Sequence, residues 1–202
     1  MSNPRRQGRN RRSGFRETNR FVVVAFEGAE TEPKYFELFR TPREKAVQYK
    51  PVGNPNHKSK PKEVLQRLER SFRDYKRGRD EGWLVIDRDD NSEAELNSIC
   101  RKAREQGFHV ALSNPCFELW LYLHLRDNAA FADRHDCQRR LSNVLAKYSP
   151  DNKGEYDTEP LKAHIALAIA RAAALDIYPD TPWPTHQCTR VYKLVQSLQA
   201  SS

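Results

Sequence analysis

The sequence predicts an α/β fold: a three-layer domain with a mainly parallel sheet, followed by a helical C-terminal part. Three observations predict it. Apolar residues come in continuous β-branched runs, which are typical of strands buried on both faces. Helical patterns separate these runs. Beyond about residue 127 only helical patterns follow. We therefore expect a basic arm over residues 1–19, an α/β domain over 20–127, and a helical extension packed on it over 128–202.

The first half of the domain alternates strands and helices. The run Phe21–Phe26 predicts the first strand. Thr31 as a cap and Pro33 in the first turn predict the helix after it. Ala46–Val52 indicates a short, weak strand. An apolar stripe at helical spacing predicts an amphipathic helix over Lys62–Lys76.

The second half of the domain repeats this alternation. Trp83–Ile86 is the second strong apolar run, and a helix is predicted over Ser92–Gln106. Phe108–Leu112 indicates a third strong strand. We expect Asn114 to cap the next helix and Pro115 to be its first residue, because these residue types favour those two positions.

The C-terminal part has no further strand pattern of comparable strength. Helices are predicted over residues 130–148, 159–175 and 187–199, and loops rich in Pro, Gly and Asp separate them. The sequence therefore predicts a purely helical extension here.

Composition excludes a membrane-spanning protein. Hydrophobic residues make up 38% of the 202 residues, but no apolar run approaches the roughly 20 residues that cross a bilayer. The basic, polar N-terminus has no apolar segment typical of a signal peptide. The four cysteines form no CxxC pair. We therefore expect a cytoplasmic protein with reduced thiols.

Positive charge is concentrated at the N-terminus. The net charge is +8, and residues 1–20 carry +6 of it, with seven arginines and one acid. Such an arm either draws the protein towards phosphate polyanions by counterion release or is a solvated leader. Both interpretations stay open.

Acidic residues follow the predicted strands. Glu27 comes directly after the first strand, and Asp87 and Asp89 come after the second strong one. Glu118 lies on the helix after the third. If the chain stays extended from Asp87 to Asp89, both carboxylates point to the same side. Ligands of open parallel sheets bind outside the carboxyl ends of the strands, so we expect these acids to meet there.

A hard divalent cation suits such a cluster. Mg²⁺ prefers oxygen ligands, keeps several waters and typically uses one or two carboxylates with substrate phosphates. We predict that Glu27, Asp87 and Asp89 bind Mg²⁺ or Mn²⁺, with Glu118 as an auxiliary acid. Metal-assisted attack on a phosphoryl centre is the chemistry most natural to this site.

Each acid also has a purely structural interpretation. Glu27 is a possible helix cap, and the segment Asp87–Asp90 is a possible acidic turn. Glu118 in a first helical turn is favoured by the helix dipole. It is less expected that all three structural interpretations hold together than that any one of them holds. The reason is that strand order places all these acids at the carboxyl ends of the strands.

A basic cluster is a candidate nucleic-acid contact. Arg70, Arg73, Lys76 and Arg77 follow one another near the end of the predicted helix, and the three arginines fall on one face. The alternative is structural, because cations near a helix C-terminus are favoured in any case.

Three motifs together carry a resemblance to a known family. They are Glu27-Gly28-Ala29-Glu30-Thr31-Glu32 after the first strand, Asp87-Arg88-Asp89-Asp90 after the second strong strand, and Ser113-Asn114-Pro115-Cys116-Phe117-Glu118-Leu119-Trp120. The chain resembles the RloB family, whose members lie beside restriction and abortive-infection genes of bacteria and archaea. The resemblance covers the arm and the α/β domain, and more loosely the C-terminal helices.

The resemblance implies a Toprim-like fold, in which a glutamate after the first strand and a later Asp-x-Asp bind Mg²⁺. Glu27 takes the glutamate role, and Asp87 with Asp89 the Asp-x-Asp role. It implies a Mg²⁺-dependent nuclease that cleaves DNA or RNA in antiviral defence (abortive infection), with an ABC-type or AAA-type ATPase partner. The chain is too short to supply the separate tyrosine domain of a topoisomerase.

Two other functions stay open. One is a non-catalytic Toprim-like module that binds nucleic acid or an ATPase partner. The other, ranked lower, is a small-molecule phosphohydrolase, because aspartate-rich strand ends also serve phosphatases. A homo-oligomer is also left open.

Overall fold

Five strands form one sheet with helices on both of its faces. The structure is a computed structural model, and it describes residues 19–40, 42, 46–54, 60–89, 91–127 and 129–200. The strands are β1 (Arg20–Phe26), β2 (Val47–Val52), β3 (Glu81–Asp87), β4 (His109–Asn114) and β5 (Cys188–Thr189). The helices are α1 (Thr31–Phe36), α2 (Pro61–Ser71), α3 (Glu93–Glu105), α4 (Glu118–Leu125), α5 (Arg134–Ser142), α6 (Glu159–Ala163), α7 (Ile165–Leu175) and α8 (Val191–Gln199).

The strand order is β2-β1-β3-β4-β5, with the first four parallel and β5 antiparallel to β4. The chain therefore leaves β1 in one direction to reach β2, and then crosses back over β1 to reach β3. The carboxyl ends of β1 and β3 diverge at this switch point. Ligands of doubly wound sheets bind at such a point.

The strands are buried on both faces, as their continuous apolar runs predict. On one face, alternate strand residues such as Val22 and Val85 pack with α1, α4, α7 and α8. On the other face, Val23 and Ile86 pack with α2 and α3. The predicted α/β class with a mainly parallel sheet and C-terminal helices is confirmed.

Two predicted helix caps are wrong. Strand β4 continues through Asn114, whose side-chain Nδ2 donates a hydrogen bond to the Pro184 carbonyl at 3.1 Å. Helix α4 consequently begins at Glu118 and not at Pro115. Thr31 is the first residue of α1, and its hydroxyl donates to the Lys153 carbonyl at 3.4 Å. Both side chains thus bind distant backbone in place of their own helix.

The C-terminal part is less regular than predicted. Only Arg134–Ser142 is helical between residues 130 and 148, and the predicted helix 159–175 is divided into α6 and α7. Among the described residues of this part, no further strand of comparable strength occurs, but one strand of two residues does. Strand β5 pairs with the end of β4, where the Ser113 and Thr189 hydroxyls lie 2.9 Å apart. A strand of two residues is too short to leave a sequence pattern.

The C-terminal helices share a core with the sheet. Leu141, Ala168 and Leu194 belong to the same apolar cluster as Val22 and Val85. The arginines of the arm, at positions 5 to 16, lie outside the described residues. The four cysteines are free thiols and are buried. In the described part of the chain, we find no helix whose length and apolar character would let it cross a membrane.

Candidate active site

A pocket of about 320 Å³ opens at the carboxyl ends of β1 and β3. Its lining includes all four acids that the sequence predicts for the site: Glu27, Asp87, Asp89 and Glu118. Two further acids line it as well, the exposed Glu30 and the buried Glu32. The topology accounts for this convergence, because β1 and β3 are neighbours in the sheet and their ends lie side by side.

Glu27 is tied to the end of β3. Its backbone N–H donates to the Val85 carbonyl at 2.9 Å, and its Oε2 accepts the Asp87 N–H at 2.9 Å. Asp87 is the last residue of β3. Its Oδ1 is buried and has no hydrogen-bond partner among the described residues. A buried carboxylate oxygen without a partner is costly, and a cation would satisfy it.

Asp89 reaches the pocket through a turn. The chain does not stay extended from Asp87 to Asp89, because Asp89 has a left-handed φ of 37°. The Asp89 N–H donates to the Pro115 carbonyl at 3.2 Å, which holds this turn against the segment before α4. The Asp89 Oδ1 pairs with the guanidinium of Arg134 on α5.

Glu118 is the first residue of α4 and is only 3% exposed. Its Oε1 accepts the Tyr148 hydroxyl at 2.8 Å and the Gln138 Nε2 at 3.3 Å. The Lys153 ammonium lies 3.8 Å from the same oxygen. All three partners come from the C-terminal part, which therefore contributes directly to this pocket.

Sequence reasoning missed Glu32. This residue is buried in the first turn of α1, and its Oε1 accepts the Gly28 N–H at 2.9 Å. A Cβ on Gly28 would lie 2.1 Å from Glu32 Oε2, so glycine makes room for this carboxylate. The sequence signal was a further acid five residues after Glu27, which also fits an acid favoured by the helix dipole.

Burial dominates the electrostatics of the pocket. It raises the pKa of Glu27 to about 8, with Glu32 and Asp89 adding repulsion, while the Asp87 N–H and Arg67 oppose the rise. Burial likewise raises the pKa of Glu32 to about 7. The pKa of Asp87 is raised well above its ordinary value by burial and by the neighbouring glutamates. The pocket therefore retains protons near neutral pH, and a cation would replace them.

The donor set suits Mg²⁺ or Mn²⁺. Every acid in the pocket offers carboxylate oxygens, which hard cations prefer. Within the described ranges, no three His, Cys, Asp or Glu side chains already form a ready-made metal cage. Mg²⁺ does not require one, because it keeps several waters and is bound through one or two carboxylates. The unpartnered Oδ1 of Asp87 fits this mode of binding.

The predicted basic cluster lies elsewhere. Helix α2 ends at Ser71, so Arg70 is on the helix, Arg73 is in a 3₁₀ turn, and Lys76 and Arg77 follow it. The prediction of one continuous helical face is therefore wrong. These residues lie where the chain enters β3, and Arg77 donates to the Gln106 carbonyl just before β4. They lie at the amino ends of β3 and β4, whereas the acidic pocket lies at the carboxyl ends of the strands.

Comparison with known proteins identifies the family. A family model described as RloB-like protein matches residues 22–198, which include the pocket and the C-terminal helices. A search of the curated proteins gave no match, and neither did a search of the solved structures. The chain belongs to the RloB-like protein family.

Proposed function

We propose that this protein is a Mg²⁺-dependent nuclease that hydrolyses phosphodiester bonds in nucleic acid. One observation carries the proposal: acids from the ends of two neighbouring strands meet in a single pocket, where an Asp87 oxygen is buried without a partner. A buried cluster of like charges is unfavourable unless protons or a cation neutralise it. Ion binding is the role that this arrangement supports best.

The residues of the pocket divide into two roles. Glu27, Asp87 and Asp89 would hold the ion, directly or through its bound waters, since all three line the pocket. A bound Mg²⁺ would polarise the phosphoryl group and lower the pKa of its water. Glu27 would also act as a general base. One of its carboxylate oxygens would accept the proton that the attacking water loses. Glu118 is held in place by Tyr148 and acts as an auxiliary acid.

Two cations give the pocket a place for phosphate. Arg134 and Lys153 line it, and their side chains are 37% and 43% exposed. Both lie beside carboxylates and both remain accessible from solvent. When a phosphodiester enters, these cations would offset its negative charge, which the acids alone would repel.

The test is cleavage of labelled DNA and RNA by the full chain in Mg²⁺, Mn²⁺ or EDTA. We expect cleavage with metal only, and its loss in Glu27→Gln and Asp87→Asn. Glu105→Gln is the matched control, because Glu105 is exposed and pairs with Arg101 on the surface, away from the pocket. Full cleavage by Glu27→Gln would overturn the assigned role. Binding without cleavage under every condition would identify a non-catalytic module instead.

We further propose that this nuclease acts in antiviral defence in the cytoplasm, together with an ATPase of the ABC or AAA class. The resemblance to RloB proteins supports this proposal. Co-expression with an ATPase encoded beside it tests the pairing. We expect the two proteins to co-purify and ATP to change the cleavage rate. Separate elution and unchanged cleavage would contradict the partnership.

A further inference from the structure

We propose that the groove between α2 and α3 binds the phosphodiester backbone of nucleic acid and leads it to the acidic pocket. This inference rests on the proposed function and names its substrate-binding surface. It differs from the sequence-based expectation, which placed nucleic acid on Arg70, Arg73, Lys76 and Arg77.

The groove adjoins the pocket. It encloses about 720 Å³, and Glu27 and Asp89 line both cavities. Pro61 and Lys62 form the wall on the α2 side, while α3 supplies the other wall, including Ser98. A strand lying in this groove would therefore contact two of the pocket carboxylates, those of Glu27 and Asp89.

The charge of the groove suits a polyanion. Lys60, Lys62 and Lys102 line it, and all three are exposed. Apart from the two acids shared with the pocket, its lining contains one further acid, Glu95. The Glu95 carboxylate is already engaged, since it accepts the N–H and the hydroxyl of Ser92 at the start of α3. The groove away from the pocket thus has an excess of positive charge.

Helix stability does not account for two of these lysines. Lys60 is the N-cap of α2, and Lys62 lies in its first turn. The helix dipole disfavours cations at that end, whereas it favours Arg70 in the last turn. The sequence-predicted arginine therefore has a local structural explanation that Lys60 and Lys62 lack. A bound phosphate would compensate for placing these cations there.

The size of the substrate also favours a groove. A nucleic-acid strand extends well beyond a pocket of about 320 Å³, so flanking phosphates require their own contacts. Lysines act as point charges towards phosphates, and contacts to phosphates carry no direct sequence information. Binding in this groove should accordingly be independent of sequence and strongly dependent on salt.

The experiment measures binding of the full chain in EDTA, where cleavage does not interfere. Fluorescein-labelled single-stranded DNA, single-stranded RNA and duplex DNA are titrated at several salt concentrations. The test variant is Lys62→Glu/Lys102→Glu. The matched control is Arg70→Glu/Arg73→Glu, which makes the same charge change near the amino ends of the strands. All four residues are exposed, and circular dichroism verifies folding.

We expect the lysine variant to bind every sequence of the preferred nucleic acid more weakly. The plot of log affinity against log salt has a negative slope, and its magnitude should decrease by about 1 for each lysine that is replaced. The arginine variant should bind like the unchanged protein. The three probes show whether the groove prefers a single strand or a duplex.

Four outcomes would overturn the inference: no binding by the unchanged protein, unchanged binding by the lysine variant, equal losses in both variants, or a loss in the arginine variant alone. The inference and the proposed function fail in different ways. Lysine-dependent binding without cleavage in any metal leaves the groove standing and removes the nuclease. Metal-dependent cleavage with unchanged binding by the lysine variant supports the nuclease and removes the groove as its binding surface.

Discussion

The Glu27 carboxylate accepts the backbone N–H of Asp87 at 2.9 Å, which joins the residue after β1 to the last residue of β3. The bond spans the switch point of the sheet, where the two chain directions diverge. It also brings two acids together at the base of one pocket.

Metal-free protein should lose stability as the pH rises from about 6.5 to about 8. The pKa of Glu27 is raised to about 8 and that of Glu32 to about 7, so the native state binds more protons than the unfolded chain in this window. His124, whose pKa burial lowers to about 4 from 6.5, contributes only below it. Urea denaturation in EDTA should show a fall on the order of 2 kcal/mol. Glu32→Gln should reduce the fall, and a stability that rises with pH would contradict the assignment.

Gly28→Ala should disable the site while preserving the fold. The new Cβ would lie 2.1 Å from Glu32 Oε2, so the carboxylate must leave its bond to the residue 28 N–H. We expect Mg²⁺ affinity to weaken and any cleavage to fall by at least about tenfold, because small misplacements at a catalytic site are costly. Gly53→Ala is the control, since a Cβ there meets nothing within 4 Å. Unchanged Mg²⁺ affinity in Gly28→Ala would remove Glu32 from the site.

Arg134→Met should tighten Mg²⁺ binding. The guanidinium of Arg134 pairs with Asp89 and competes with an ion for that carboxylate. Both side chains are about one-third exposed, at 37% and 30%, so the pair is worth about 0.5–1 kcal/mol. Isothermal titration should show an increase of about two- to fivefold in affinity. Arg139→Met on the same helix is the control, because Arg139 pairs with Asp136 instead. Weaker binding by Arg134→Met would show that Arg134 supports the ion site.

Tyr148→Phe should destabilise the protein by about 1–3 kcal/mol. The lost hydroxyl donates to the buried Glu118 at 2.8 Å, and the ring itself is retained. Urea denaturation measures the change. Tyr178→Phe, at a side chain that is 59% exposed, should stay within about 0.5 kcal/mol. Equal effects of the two substitutions would mean that Tyr148 does not support Glu118.

The strand-end acids were predictable because their meeting depends only on strand order. Glu27, Asp87 and Asp89 follow apolar runs that are visible in the sequence, and parallel strands end at one edge. Glu32 was not predictable in this way. Its carboxylate reaches the pocket because α1 turns back over Gly28, and that turn is a matter of tertiary structure.

Local patterns misled where long-range contacts decide the outcome. Asn114 before Pro115 is typical of a helix start, but the Asn114 side chain instead donates to the carbonyl of Pro184, seventy positions later. Arg70 and Arg73 have helical spacing, but the helix ends at Ser71. The groove could not be predicted from the sequence. Lys62 and Lys102 are far apart along the chain, and the packing of α2 beside α3 brings them together.

The partners of Glu118 have a consequence for dissecting this protein. Gln138, Tyr148 and Lys153 all lie beyond α4, and the residues of α4 from Glu118 to His124 are all buried. A fragment that stops after α4 would expose Trp120 and Leu123 to water. It would also leave the Glu118 carboxylate without these three partners. Truncation at that point is thus expected to yield an insoluble polypeptide and not a smaller folded domain.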